Sequence, residues 1–254
     1  MDPLAEKYFG QSPFNYVHNN SINSIDPDGR LVIFVNGQHG GTGGSVKYWE
    51  GFDSRVKTYL HDSNAWYYDG AIGGWGSTLG AGIFTGLGNN LSSENRYQAG
   101  YDKGYEDAAY LIESLSRDEN GNINETIKII THSMGGVFGN GMQNGILKYL
   151  REHPELRKQV KINLVAHFDP FQADEMWADR NIFTQQFIHI DKKGRKDSDG
   201  LGFLANLDVE GVDELFESQT EAAHGIKFFF TDINNLQEGT YKWDGKNWEC
   251  TNCN

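Results

Sequence analysis

Apolar positions between residues 31 and 230 fall into blocks that alternate between strand-like and helix-like spacing. Leu31-Val32-Ile33-Phe34-Val35 is an uninterrupted apolar run of strand length ending in Asn36-Gly37, the pattern of a strand buried on both faces. Residues 46–61 carry Val46, Trp49, Phe52, Val56 and Leu60 at helical spacing, and Ala65-Trp66-Tyr67-Tyr68 reads as a second strand. Residues 94–116 form the longest helical stretch, with Tyr97, Tyr101, Tyr105, Ala108, Ala109, Leu111 and Ile112 supplying one face. Further strands are expected at 127–130, 162–166, 186–190 and 226–230, with a helix over 136–151. Strands alternating with helices predict an α/β fold, a mostly parallel sheet covered by helices on both faces. Near the end, Tyr241-Lys242-Trp243 and Asn247-Trp248-Glu249 flank Asp244-Gly245, the signature of a hairpin.

Composition narrows the function classes. The chain has 254 residues and a formal charge of −13; such a surface repels phosphate backbones and excludes general nucleic-acid binding. The dense basic stretch Lys192-Lys193-Gly194-Arg195-Lys196 runs into Asp197, Ser198 and Asp199 and reads as a solvated turn. The same turn is rich in calcium-type residues, but lysines stand where an EF-hand loop needs oxygen ligands. Both cysteines, Cys250 and Cys253, lie in the last five residues. One CxxC supplies half of a zinc site, so a terminal disulfide or two thiols is the plain reading. The glycine-dense stretch at 70–88 lacks the Gly-Lys-Ser/Thr ending of a phosphate loop; with its flanks (71–91) it is a candidate mobile lid for contact with a membrane surface, and a plain structural loop fits it equally. No apolar run reaches transmembrane length, and the N-terminus lacks the basic-then-apolar order of a secretory signal. No metal or organic cofactor is expected.

Residues 1–30 differ in character from the rest of the chain. They hold Pro3, Pro13, Pro27 and the turn sequences Asn19-Asn20 and Asp26-Pro27-Asp28-Gly29. The series Asp2-Pro3-Leu4-Ala5-Glu6-Lys7-Tyr8, Ser12-Pro13-Phe14-Asn15-Tyr16, Asn19-Asn20 and Ile25-Asp26-Pro27-Asp28-Gly29-Arg30 resembles the end of an RHS repeat-associated core domain. In that family this segment precedes a variable C-terminal domain that is often a toxin. The resemblance divides the chain into a tail segment (1–30) and a second domain (31–254). It implies an effector that is cytoplasmic when made, exported by a dedicated secretion system and neutralised at home by an immunity partner.

The second domain carries a candidate nucleophile. Ser133 lies in Ile129-Ile130-Thr131-His132-Ser133-Met134-Gly135-Gly136, between an apolar strand and a helix. A sharp turn there pushes a serine outward and needs small residues two positions away on either side. Gly135 meets that need downstream, whereas upstream Thr131 stands where the G-x-S-x-G pattern has glycine. The following helix points its N-terminus at the site, which makes the Met134 N–H one oxyanion donor. His132-Ser133-Met134-Gly135-Gly136 resembles the nucleophile string of α/β-hydrolase lipases and esterases. That resemblance implies an α/β-hydrolase-like fold, a second oxyanion donor from the Gly37–Gln38 backbone after the first strand, and an acid and base later in the chain in the order Asp, His.

For the acid, Asp169 follows strand 162–166, at the carboxyl edge of the sheet where α/β ligand sites lie; Asp191, after strand 186–190, is the alternative. For the base, His224 lies in Glu221-Ala222-Ala223-His224-Gly225-Ile226, late enough in the order. His132 is expected to point away from the nucleophile, His167 to pack, and His189 to make a structural hydrogen bond. The expected activity is hydrolysis of a carboxylic ester, most readily a lipid or phospholipid acyl ester. A thioesterase, peptidase or acyltransferase would reuse the same residues, and a non-catalytic hydrolase-like binding module is the alternative of a different class.

Overall fold

The computed structural model describes residues 31–62, 64–71, 92–190, 207–219, 224–237, 240–243 and 248–252. The strand β1 (Leu31–Asn36) is buried along its whole length, and the sheet grows outward from it. It pairs in parallel with β2 (Asn64–Asp69) on one side and β3 (Ile127–His132) on the other. β4 (Ile162–Phe168), β5 (Thr184–Ile190) and β6 (Glu214–Gln219) continue beyond β3, giving a six-stranded, all-parallel sheet of order β2-β1-β3-β4-β5-β6. The chain leaves β1 toward one edge and then returns to build toward the other. The carboxyl ends of β1 and β3 therefore flank a topological switch point, where ligand crevices form in open α/β sheets.

Side chains of β1 alternate between two cores. Leu31, Ile33 and Val35 face a cluster completed by Leu111, Phe138, Met142 and Ile146, contributed by α2 (Ser93–Glu113) and α3 (Gly135–Glu152). Val32 and Phe34 face the opposite cluster, with Trp49, Phe52, Val56 and Phe229, to which α1 (Phe52–Leu60) belongs. Helices on both faces of a parallel sheet make this the expected α/β architecture. β7 (Thr240–Trp243) and β8 (Trp248–Asn252) pair antiparallel as a small hairpin. No helix among the described residues is long and apolar enough to cross a membrane.

Three expectations need correction. Residues 226–230 are not a strand: Ile226–Phe229 form a 3-10 turn that buries Ile226 and Phe229 and leaves Phe228 exposed. Among the described residues the last strand of the parallel sheet is β6, an edge strand whose Glu217 faces solvent. The expected helix over 46–61 is broken, since Val46–Trp49 is a 3-10 turn and α1 starts only after Glu50 and Gly51, both at positive φ. α2 is also not buried by its tyrosines. Its inner face is Arg96, Gly100, Gly104, Ala108, Leu111 and Ile112, while Tyr105 and Tyr110 are exposed.

The inner face of α2 seats α3 at backbone distance. A Cβ at Gly100 or Gly104 would run into the Phe138 or Met142 carbonyl, and one at Gly141 or Gly145 into the Tyr97 or Tyr101 carbonyl. Glycines four residues apart on both helices remove the side chains that would hold the axes apart, as in other close helix pairs.

The 1–30 segment, the 72–91 stretch, Asp191 and the basic turn at 192–196 lie outside the described residues.

Candidate active site

β3 runs directly into Ser133, which adopts φ 55, a left-handed conformation that a non-glycine residue holds only when its surroundings impose it. Here they do. The Ser133 N–H donates to the Phe168 carbonyl at 3.0 Å, and its own carbonyl accepts from Gly136 at 3.0 Å and from Phe171 at 3.1 Å. The helix behind it starts on glycine for a packing reason, because a Cβ at Gly135 would collide with the Val35 carbonyl and crowd that of Asn36. Thr131, the departure from the glycine pattern, is accommodated on the other side of the turn. A Cβ at Gly139 would lie 2.5 Å from Thr131 Cγ2, so the bulk missing from α3 makes room for the threonine. The Thr131 hydroxyl is hydrogen bonded to His167 Nδ1 at 2.7 Å. Burial pushes the His167 imidazole down to about 3, which keeps it neutral.

The structure brings Ser133, His224 and Asp169 together. Ser133 Oγ lies 2.6 Å from His224 Nε2, and His224 Nδ1 lies 3.6 Å from Asp169 Oδ2. Asp169 follows β4, also at positive φ (40). It is held by its N–H to the Phe187 carbonyl at 2.8 Å and by the His189 N–H donating to Oδ1 at 3.2 Å. An imidazole that accepts from a serine on Nε2 carries its proton on Nδ1, facing the carboxylate. The 3.6 Å separation is a few tenths of an ångström beyond a hydrogen bond, and catalytic hydrogen bonds are often this long before substrate binds.

The loop after β1 touches this turn. A Cβ at Gly37 would lie 2.5 Å from Ser133 Cβ and 3.0 Å from Met134 N, so Gly37 and the Met134 amide meet at one corner of the serine. The loop is braced from β2. Asn36 Nδ2 donates to Asp69 Oδ1 at 3.2 Å and Asn36 Oδ1 accepts from Gly44 N at 2.7 Å. His39 Nδ1 accepts from Gly41 N at 3.0 Å, which leaves Nε2–H to donate to Asp69 Oδ2 at 2.9 Å. His39 therefore shapes the loop.

The His132 side chain is hydrogen bonded to Tyr48 and to the backbone of the base, not to the Ser133 hydroxyl. Its Nε2 lies 2.7 Å from the His224 carbonyl, which can only accept, so Nε2 carries the proton. Nδ1 is then an acceptor and takes a hydrogen bond from the Tyr48 hydroxyl. Burial holds the His132 imidazole well below its usual range, helped by repulsion from His224. Burial also pushes the Tyr48 hydroxyl up, against an opposing hydrogen bond with the Gly37 backbone. One continuous chain thus runs from the Gly37 loop through Tyr48 and His132 to the backbone of His224. His189 is buried and stacks on Phe229 with ring centroids 3.7 Å apart. Beyond it lies Asp232, 4.0 Å from Nε2, its carboxyl pushed up by burial. Tyr48, Asp69 and Asp232 carry no local sequence signal, since they meet the site only through folding.

No protein family matches the sequence, and no curated protein does. Among solved structures, the chain is similar to a dienelactone hydrolase from Anabaena variabilis (9% identity, 83% of this chain and 86% of that one, TM-score 0.40). It is similar to an esterase from Pyrobaculum calidifontis (11% identity, 84% and 78%, TM-score 0.40). It is also similar to a thioesterase of the prodiginine biosynthetic pathway from Streptomyces coelicolor (11% identity, 92% and 99%, TM-score 0.40). At these values none of the three fixes an activity for this chain.

Proposed function

We propose that this chain is a serine hydrolase of carboxylic esters. The observation that carries the reading is a serine at φ 55 whose Oγ is 2.6 Å from an imidazole nitrogen, since both the strained turn and the contact are what an activated nucleophile needs. His224 takes the Ser133 proton as Oγ bonds to the acyl carbon. The carbonyl π pair moves to oxygen, held by the Met134 and Gln38 amides, with Gly37 turned toward Tyr48. Collapse expels the alcohol, which takes the proton from His224. Water then repeats the sequence on the acyl-enzyme and releases the acid. Asp169 orients His224 and stabilises its cationic form.

The finer reading is an acyl ester of a lipid or phospholipid, in an effector of the RHS type. It is supported by the likeness of His132–Gly136 to lipase nucleophile strings and of residues 2–30 to an RHS core terminus. The test is hydrolysis of 4-nitrophenyl butyrate together with labelling by a fluorophosphonate. Ser133→Ala is expected to abolish labelling and to lower kcat by about 10³-fold or more. Turnover that survives Ser133→Ala overturns the reading. A panel of phospholipids, thioesters and peptides then selects among enzymes sharing these residues.

A further inference from the structure

Arg96 sits in the first turn of α2 and is 0% exposed. Its Nη2 donates to Gln172 Oε1, and its guanidinium carbon lies 5.2 Å from the centroid of the Phe171 ring. Nε and Nη1 are buried with no hydrogen-bond partner among the described residues. Burial alone lowers the group to about 10, so it remains a cation at neutral pH. An unpaired buried charge is strongly destabilising, and one amide oxygen and one ring face offset only part of that. The position makes matters worse, because a cation in the first turn opposes the helix dipole. A structural brace for Gln172 would need one neutral donor, for which a glutamine or asparagine serves at far lower cost.

The residues that hold Arg96 are those that hold the nucleophile. Phe171, under the guanidinium, donates its N–H to the Ser133 carbonyl. Gln172, which accepts from Arg96, is fixed at φ 58. Pro170, just before them, packs on Gly136 of the turn. The cation therefore packs directly on the segment that braces the nucleophile turn, in a chain whose formal charge is −13.

Resting on the hydrolase reading above, we propose that Arg96 is the receptor for an anionic group, carboxylate or phosphate, carried by the ester substrate. An anionic oxygen accepting from Nε or Nη1 supplies the missing counter-charge, and the substrate's own charge anchors it beside Ser133.

The full chain is assayed on two matched pairs: 4-nitrophenyl hemiglutarate against 4-nitrophenyl butyrate, and dibutyroyl phosphatidic acid against dibutyroylglycerol. Wild type is expected to prefer at least one anionic member by about 10-fold or more in kcat/KM. The pair that shows the preference tells whether the anion is an acyl carboxylate or a phosphate on the leaving group. Arg96→Met is expected to lower kcat/KM for that member by about 30-fold more than for its neutral partner, the size of one charge-assisted hydrogen bond. Arg96→Lys is expected to restore part of it. No preference in wild type overturns the proposal without recourse to any variant, and so does a parallel loss on the anionic and neutral members. Binding separates this from failure of the hydrolase reading. Ser133→Ala protein titrated with monomethyl glutarate and with inorganic phosphate needs no turnover. Arg96-dependent binding in a chain inert toward every ester leaves the anion site standing and removes only the hydrolase. Ester turnover with no anion preference does the reverse.

Discussion

Gly139→Ala tests how the turn tolerates Thr131. The added Cβ would sit 2.5 Å from Thr131 Cγ2, while its next neighbour, Ile129 Cγ2, is at 3.7 Å. Ordinary carbon contacts lie at about 3.5–4.0 Å, so one methyl group is the whole obstruction, and α3 or the end of β3 must shift by about 1 Å. Overpacking of this kind is destabilising by about 1–3 kcal/mol, and the gain in helix propensity on replacing glycine offsets about 1 kcal/mol of it. Thr131→Ser removes the obstructing methyl and keeps the hydroxyl that bonds His167; alone it costs about 1 kcal/mol of lost burial. In the double variant the clash is gone and the propensity gain remains, so the two changes are expected to couple favourably by about 1–3 kcal/mol. Urea unfolding of the four proteins gives the coupling, and ester turnover reports whether Ser133, two residues further on, is displaced in Gly139→Ala and restored in the double variant. Additivity within about 0.5 kcal/mol would refute the account of how Thr131 is fitted.

His132→Phe removes the donor to the His224 carbonyl and the acceptor of the Tyr48 hydroxyl. It is expected to lower stability by about 2–4 kcal/mol and kcat by about 10-fold or more with KM little changed; wild-type kcat in the variant would show that the chain through His132 does not position the base. Glu125 accepts from Ser116 N at 2.5 Å, and burial pushes its carboxyl up to about 8 from an unfolded value of 4.5. The folded state thus holds a proton that the unfolded state has lost between pH 4.5 and 8, so this group's contribution is full below that window and is lost as pH rises through it. Relative to wild type, Glu125→Gln is expected to gain about 1.4 kcal/mol per pH unit across that window in chemical denaturation, and a pH-independent difference would contradict the assignment.

The sheet's centre was legible because its strands are buried on both faces. Leu31–Val35, Ile127–Ile130 and Ile162–Ala166 read as apolar runs for that reason. β6 was not legible, since Glu214-Leu215-Phe216-Glu217 is an edge with one wet face. Residues 226–230 misled because four apolar residues in a near-continuous run fit a period of two or of three equally well. On α2 the tyrosines were read as the inner face, whereas contact with α3 selects the glycines. At the site, Ser133 is announced by its own neighbours, and Asp169 and His224 by their order after it. His132, Tyr48 and Arg96 are different, because their partners stand 92, 84 and 76 residues away in sequence. Nothing local distinguishes His132 facing the base loop from a histidine facing away, and nothing local marks Arg96 as buried.

The glycine seam between α2 and α3 has a mechanical consequence. Side chains packed at ordinary distance let two helices slip by fractions of a turn with modest rotamer adjustment. Here carbonyls of each helix sit in notches on the other, and the notches repeat every four residues, about 6 Å of helix. Any smaller slide drives a carbonyl against the wall of its notch, so the pair has discrete stops, like a ratchet with one tooth per turn. α3 begins at the nucleophile turn and α2 carries Arg96 in its first turn, so the seam gauges one against the other and sets their spacing in the same way each time the chain folds.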